Sequence, residues 1–202
     1  PFALQYEDEA FLLKNSKKIL QGDYDTLAAL SRMTLLNGIA AIIIGSTHAG
    51  SMGEHLISHY IDMFMGNQHP NTLHGEQVGV ATILISKMQN QFIKNKTLKF
   101  NELNIDEKIF QELFGDNLSS KMFEQFKSKY FNADKIEFIN DLLEKNWSLF
   151  RVKLAKYLLP TDNIIKALVE CGACVSNEDL KISGKFFNEA IHNSFLLRDR
   201  FS

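Results

Sequence analysis

The chain has 202 residues, 45% of them hydrophobic and 23% charged, with a formal net charge of -2. At 23.0 kDa the scaling of folded surface with mass gives roughly 9,600 Å² accessible against about 33,000 Å² unfolded, room for one well-buried core without disulfide staples. The balance of charge excludes a global basic field for nucleic acid or anionic membranes. The longest uninterrupted apolar run, Ile39 to Ile44, is short of the roughly 20 residues a spanning helix needs, and no signal peptide is visible. Two cysteines, Cys171 and Cys174, make no disulfide framework and suit a reducing compartment. The expectation is a cytoplasmic chain with neither nucleic acid nor membrane as partner. Pro1 stands where an initiator Met is usual, as in a processed chain or one that begins inside something longer.

With only 3 Pro and 11 Gly, helix ends carry most of the organisation. From Asp25 to Ile44 the set Leu27, Leu30, Leu35, Ile39, Ile42 and Ile43 recurs at helical spacing, with Asp23 or Asp25 as cap and Gly45 as stop. Its density of apolar residues predicts a buried helix. Gly45 to Gly53 is a small-residue loop that can leave backbone amides open to a ligand. Glu54 to Met65 reads as an interior helix, Gly66 to Leu73 as a turn, and a second apolar helix begins at His74 or Gly75 and runs to Phe92. Shorter amphipathic helices follow near Ile105 to Phe114, Lys121 to Tyr130, Lys135 to Trp147, Leu149 to Leu159 and Asp162 to Cys171, with a last one from Ser183 to about Arg200. No alternating run reads as a sheet, and no strand, glycine loop and helix unit for a dinucleotide is present. The fold class is all-α, a multi-helix bundle over residues 1–202.

Three of the six histidines lie on two successive apolar helices within twenty residues. His55 and His59, four apart, share one helix face, and His74 opens the next helix after a turn. An antiparallel return brings His74 opposite the pair, a donor set suited to Zn²⁺ or another divalent transition metal. Glu54 and Glu76 stand beside His55 and His74 as further ligands, as partners for the second ring nitrogen, or as helix-terminus charges. A metalloprotease helix needs Glu inside the His-x-x-x-His spacer. Here the spacer is Leu56, Ile57 and Ser58, which excludes that chemistry. Cys171-Gly172-Ala173-Cys174 has redox-pair spacing without a second pair, and a helix-ending turn at Gly172 is the simpler reading. His69 and His192 are expected to be structural or exposed, and the Phe-rich stretch from Phe92 to Phe150 to be bundle core.

Asn37-Gly38-Ile39-Ala40, the run Gly45-Ser46-Thr47-His48-Ala49-Gly50-Ser51-Met52-Gly53-Glu54-His55-Leu56-Ile57-Ser58-His59 and the motif His74-Gly75-Glu76-Gln77-Val78-Gly79 resemble the core of sn-glycerol-1-phosphate dehydrogenases. Those enzymes share a superfamily with iron-dependent alcohol dehydrogenases, glycerol dehydrogenase and dehydroquinate synthase. The C-terminal stretch from Ile182-Ser183 to Leu197-Arg198-Asp199-Arg200-Phe201 resembles the same family's last helix. The resemblance implies that His55 and His74 bind the metal and that His59 lies against the substrate, as the residue nearest the chemistry. Zn²⁺ is the expected ion, with Fe²⁺ or Ni²⁺ as alternatives. It also implies reduction of dihydroxyacetone phosphate, a small phosphorylated ketone, by NADH or NADPH held mainly on an N-terminal α/β domain. That domain, and the Asp of a Gly-x-Gly-Asp type motif that supplies the third ligand, are not in this sequence. The family loop reads Ser-Arg-Pro-Ala-Ser-Gly; here Ser46-Thr47-His48-Ala49-Gly50-Ser51 takes its place, leaving His48 and Ser51 as the substrate-binding candidates.

The expectation is therefore the C-terminal metal- and substrate-binding domain of a longer dehydrogenase, inactive alone, with homo-oligomer formation open. A dehydroquinate-synthase-like lyase is the second reading, disfavoured because that group reads Asn-x-Gly-His-Thr where this chain has Met52-Gly53-Glu54-His55. A stand-alone helical regulatory or interaction module is the third.

Overall fold

The computed structural model describes residues 2–103 and 105–197. Pro1 and the Arg198-Asp199-Arg200-Phe201 ending named above lie outside them. Among the described residues the architecture is all-α with no sheet: α1 (Phe2–Asn15), α2 (Lys17–Leu20), α3 (Tyr24–Ile44), α4 (Gly53–Phe64), α5 (His74–Phe92), α6 (Glu107–Lys127), α7 (Ala133–Ala155), α8 (Thr161–Glu170) and α9 (Gly184–Asn193). Short 3-10 turns stand at Thr47–Ala49, Gly66–Gln68 and Ser194–Leu196.

Helix ends follow local chemistry. Asp23 caps α3, its Oδ1 accepting from the Thr26 amide at 3.0 Å and the Thr26 hydroxyl at 2.7 Å. At the other end Gly45 takes φ 70 in the left-handed region, where a Cβ is penalised, and the helix stops. The start of α5 is held by Glu76, whose carboxylate accepts from the Leu73 amide at 2.7 Å. Gly115 breaks α6 with φ 66 and ψ 173, dividing it much as the two expected amphipathic helices divide.

The core is built on the α4–α5 pair. Leu56, Ile57, Tyr60 and Ile61 form the buried face of α4 and pack on Val80 and Ala81 of α5, closed by Leu180, Ile182, Ala190 and Leu197. Spacings of one, three and four residues put the α4 set on one face. A second cluster joins Phe110, Phe126 and Leu196. Trp147 of α7 is buried and donates its indole N–H to the Asn95 carbonyl at 2.8 Å. The Phe-rich region is thus core in part, while Phe138 and Phe150 stay exposed.

Three expectations are corrected. Residues 2–20, given no helix above, form α1 and α2. The separate helices at 135–147 and 149–159 are one continuous α7, because no Gly or Pro interrupts residues 133–155. Helix α3 has the predicted ends but is not buried: Leu35 is 69%, Ile42 81% and Ile43 72% exposed. It is also long and apolar enough, by length and composition, to cross a membrane. The six-residue apolar run underestimates it, because Asn37, Thr34 and Ser31 interrupt the run without adding charge. The chain exposes 13078 Å², about a third more than the mass scaling allows for a compact monomer.

Helix α1 lies along α3, clamped by a charged fork. Arg32 Nε donates to Asp8 Oδ2 at 2.7 Å while Nη2 donates to the other carboxylate oxygen. The hydrogen bond from Arg32 holds the Asp8 carboxyl below the usual carboxylate range, against the upward push of burial and with help from the guanidinium charge. A carboxyl lowered in the fold contributes stability above its unfolded value of roughly 3.9, and that contribution disappears as pH falls through the folded value. Asp8→Asn is accordingly expected to lower the urea midpoint at pH 7, and the gap to the parent should be smaller at pH 3. An equal gap at both pH values would show that the carboxylate charge is not what matters.

Candidate metal centre

Helix α4 leaves its buried face in the core and turns His55, His59 and Asp62 to one side, at i, i+4 and i+7. The turn at residues 65–73 reverses the chain, so that α5 packs on α4 with His74 at its first position. The three rings converge. Their centroids are 5.2 Å apart for His55 and His74, 5.4 Å for His59 and His74, and 6.5 Å for His55 and His59. His59, Asp62 and His74 each bring a ligand atom within 4.8 Å of the others. Donors at about 2.0–2.2 Å from a tetrahedral ion sit roughly 3.3 Å apart, so a modest inward movement of exposed side chains accommodates one. Imidazole nitrogens with one carboxylate are a donor set that suits Zn²⁺ and its neighbours. The residues present fit a divalent metal.

Around these donors lies a partner set. Glu54 Oε1 stands 3.0 Å from His55 Nδ1 and 3.0 Å from the Met52 amide nitrogen. A carboxylate can only accept, so His55 carries its proton on Nδ1 and Nε2 keeps the lone pair. Burial would raise the Glu54 carboxyl, but the hydrogen bond from His55 and those from backbone amides outweigh it, and the group is held below its ordinary value. Of the three roles open to Glu54, the structure selects the partner of the second ring nitrogen. Glu76 instead serves the helix terminus, with the Cys174 thiol 3.9 Å away. The thiol is pushed up by burial, then by the Glu76 and Asp179 charges, and both cysteines are free. A raised thiol is a poor nucleophile, so nothing favours redox chemistry at this pair. Gly172 takes φ 72, the expected helix-ending turn.

His48 sits exposed on the 3-10 turn, its amide donating to Ser46 Oγ at 3.1 Å, and Ser51 is half-buried just before α4. The loop meets α3: a Cβ at Gly50 would stand 2.6 Å from the side-chain Nδ2 of Asn37, so a larger residue there would require the Asn37 side chain to shift. His192, expected to be structural or exposed, is exposed on α9 with Nδ1 2.8 Å from the Asn188 carbonyl one turn back. His69, expected to be structural or exposed, is hydrogen-bonded at the edge of the site: Nε2 lies 3.2 Å from Asp62 Oδ1 and Nδ1 accepts from the Asn71 amide at 3.0 Å.

Sequence reasoning missed Ser58, Asp62 and Gln77. Asp62 was legible, since a residue three after His59 shares its face. The other two were not. Ser58 and Gln77 are fully buried, and only the packing of α4 on α5 brings Ser58 Oγ within 2.6 Å of Gln77 Oε1 and 2.7 Å of His74 Nδ1. A cavity of about 810 Å³ between residues 96–102 and α7 is lined by no histidine, so volume alone would misplace the chemistry.

Against known proteins, the chain is 23% identical over 189 residues to a glycerol-1-phosphate dehydrogenase of Halalkalibacterium halodurans, covering 93% of this chain and 39% of that protein. Enzymes of the same name from Haloquadratum walsbyi (37% over 82 residues, 41% of this chain and 23% of the relative) and Methanothermobacter thermautotrophicus (31% over 113 residues, 52% and 32%) are also similar. The chain therefore spans well under half the length of these relatives. No family model matches it, and no solved structure does. An all-helical chain with convergent histidines on α4 and α5, similar in sequence to several enzymes of one name, is homologous to part of the glycerol-1-phosphate dehydrogenase family.

Proposed function

We propose that this chain is the helical metal- and substrate-binding part of a metal-dependent dehydrogenase that reduces dihydroxyacetone phosphate to sn-glycerol 1-phosphate with NADH or NADPH. The observation that carries the reading is the convergence of His55, His59 and His74 from two helices, in a chain whose relatives bear that enzyme's name. His55 and His74 would hold the cation through Nε2, with the Asp62 carboxylate beside His74 as a further oxygen donor. When bound, the metal supplies Lewis-acid polarisation of the substrate ketone. His59, one turn along α4 from His55, then donates a hydrogen bond to a substrate oxygen and orients the carbonyl. His48 and Ser51 face the phosphate from the glycine loop. The nicotinamide belongs to a separate α/β domain of the longer protein.

The test is made on the longer protein carrying this segment, loaded with Zn²⁺ and supplied with dihydroxyacetone phosphate and NADPH or NADH. Loss of nicotinamide absorbance with formation of sn-glycerol 1-phosphate is expected, and His59→Ala should lower kcat/KM by roughly 10²- to 10⁴-fold. Turnover by the 202-residue chain alone would overturn the division of labour. Unchanged kcat/KM in His59→Ala would remove His59 from the reaction.

A further inference from the structure

We infer that Gln77 is a positioning residue: through Ser58 it fixes His74 in the tautomer that leaves Nε2 free to bind a cation. The amide of Gln77 is the switch, and its orientation follows from its neighbours. Its Nε2 lies 3.0 Å from Asp62 Oδ1 and 3.2 Å from Thr72 Oγ1. A carboxylate has no proton to give, so the nitrogen must face Asp62 and the oxygen must face Ser58. His69 Nδ1 is occupied as the acceptor of the Asn71 amide, so its Nε2 carries the proton; that atom lies 3.0 Å from Gln77 Nε2, and the two donors share the Asp62 Oδ1 acceptor, the carboxylate charge setting the direction.

Ser58 has one proton. With Gln77 Oε1 at 2.6 Å it donates there, so its oxygen can only accept from His74 Nδ1 at 2.7 Å. His74 therefore carries its proton on Nδ1. Direction thus runs one way from the Asp62 carboxylate through Gln77 and Ser58 to the imidazole, and Ser58 and Gln77 are 0% exposed, so no water competes for the bond between them. If Gln77 Oε1 is removed, the Ser58 hydroxyl is released to donate to Nδ1, and the ring moves its proton to Nε2. That tautomer has no lone pair where the cation would bind.

The experiment uses the metal-free 202-residue chain with ¹⁵N-labelled histidine, reading the His74 tautomer by NMR, followed by titration with Co²⁺. The parent is expected to show the Nδ1–H form. Gln77→Leu should shift His74 to Nε2–H and weaken Co²⁺ by about 10- to 100-fold. Gln77→Glu, which still accepts from Ser58, should keep Nδ1–H despite placing a like charge beside Asp62. A merely structural role would not separate these two variants. If Gln77→Leu fails to fold, Ser58→Ala decides, and loss of the Nδ1–H preference is expected there. An Nε2–H tautomer in the parent, or Nδ1–H retained in Gln77→Leu or Ser58→Ala, overturns the inference. The affinity arm rests on the metal reading proposed above. Should the parent show Nδ1–H yet take up no Co²⁺, that reading fails while the positioning stands.

Discussion

His74→Ala is expected to cost the chain more cation affinity than any other single change, beyond the roughly 10- to 100-fold that outer partners are worth. Two donor sets meet at this residue. The family resemblance pairs it with His55, and the geometry places it with His59 and Asp62. His74 belongs to both, so no rearrangement of the other side chains replaces it. His55→Ala and His59→Ala separate the two sets in the same Co²⁺ titration. A large loss in the first with a small one in the second assigns the ion to the His55 side, and the reverse assigns it to the His59 side. If His55→Ala and His74→Ala both bind as the parent does, the ligands lie elsewhere.

The second large effect is on stability. Leu56 is 0% exposed at the centre of the α4–α5 interface, and Leu56→Ala should destabilise by about 2–5 kcal/mol, from lost burial and the cavity left behind. For a chain of this size that lowers the melting temperature by roughly 5–20 °C. Leu35→Ala on α3 is the control. The residue is equally apolar but 69% exposed, and a change of about 0.5 kcal/mol or less is expected. Calorimetry on both variants checks the contrast, and equal losses would mean that α3 is covered in solution. Because α4 also carries His55 and His59, Leu56→Ala should loosen the site before the chain unfolds.

These two expectations differ in how far the sequence already held them. The His55, His59 and His74 convergence was legible because two simple rules suffice: residues four apart share a helix face, and a turn containing Pro70 and Asn71 sends the next helix back. The ends of α3, α4 and α5 were legible for a similar reason, since Asp23, Gly45 and the turn at residues 66–73 act on the chain locally. The loss of α1 and the splitting of α7 have another cause. Residues 2–15 combine charge with weak periodicity, and in the 23-residue α7 only Ile136 and Trp147 are buried, so no long apolar stripe marks it as one helix.

Burial and hydrogen-bond direction were beyond the sequence. Apolar α3 and apolar α4 read alike, yet α4 faces Val80, Leu180 and Leu197 while most of α3 faces solvent. Periodicity says which residues share a face but not what covers that face, and an all-round apolar helix has no preferred one. In the same way the sequence by itself determined the all-α class, the helix ends and the three histidines, because each depends on backbone propensity and spacing along one helix. Only the tertiary structure decided that Ser58 and Gln77 meet His74, that Glu54 holds His55 and that Asp62 gathers His69 and Gln77. Those contacts join residues up to 19 positions apart, and their polarity depends on which buried group has a proton to give.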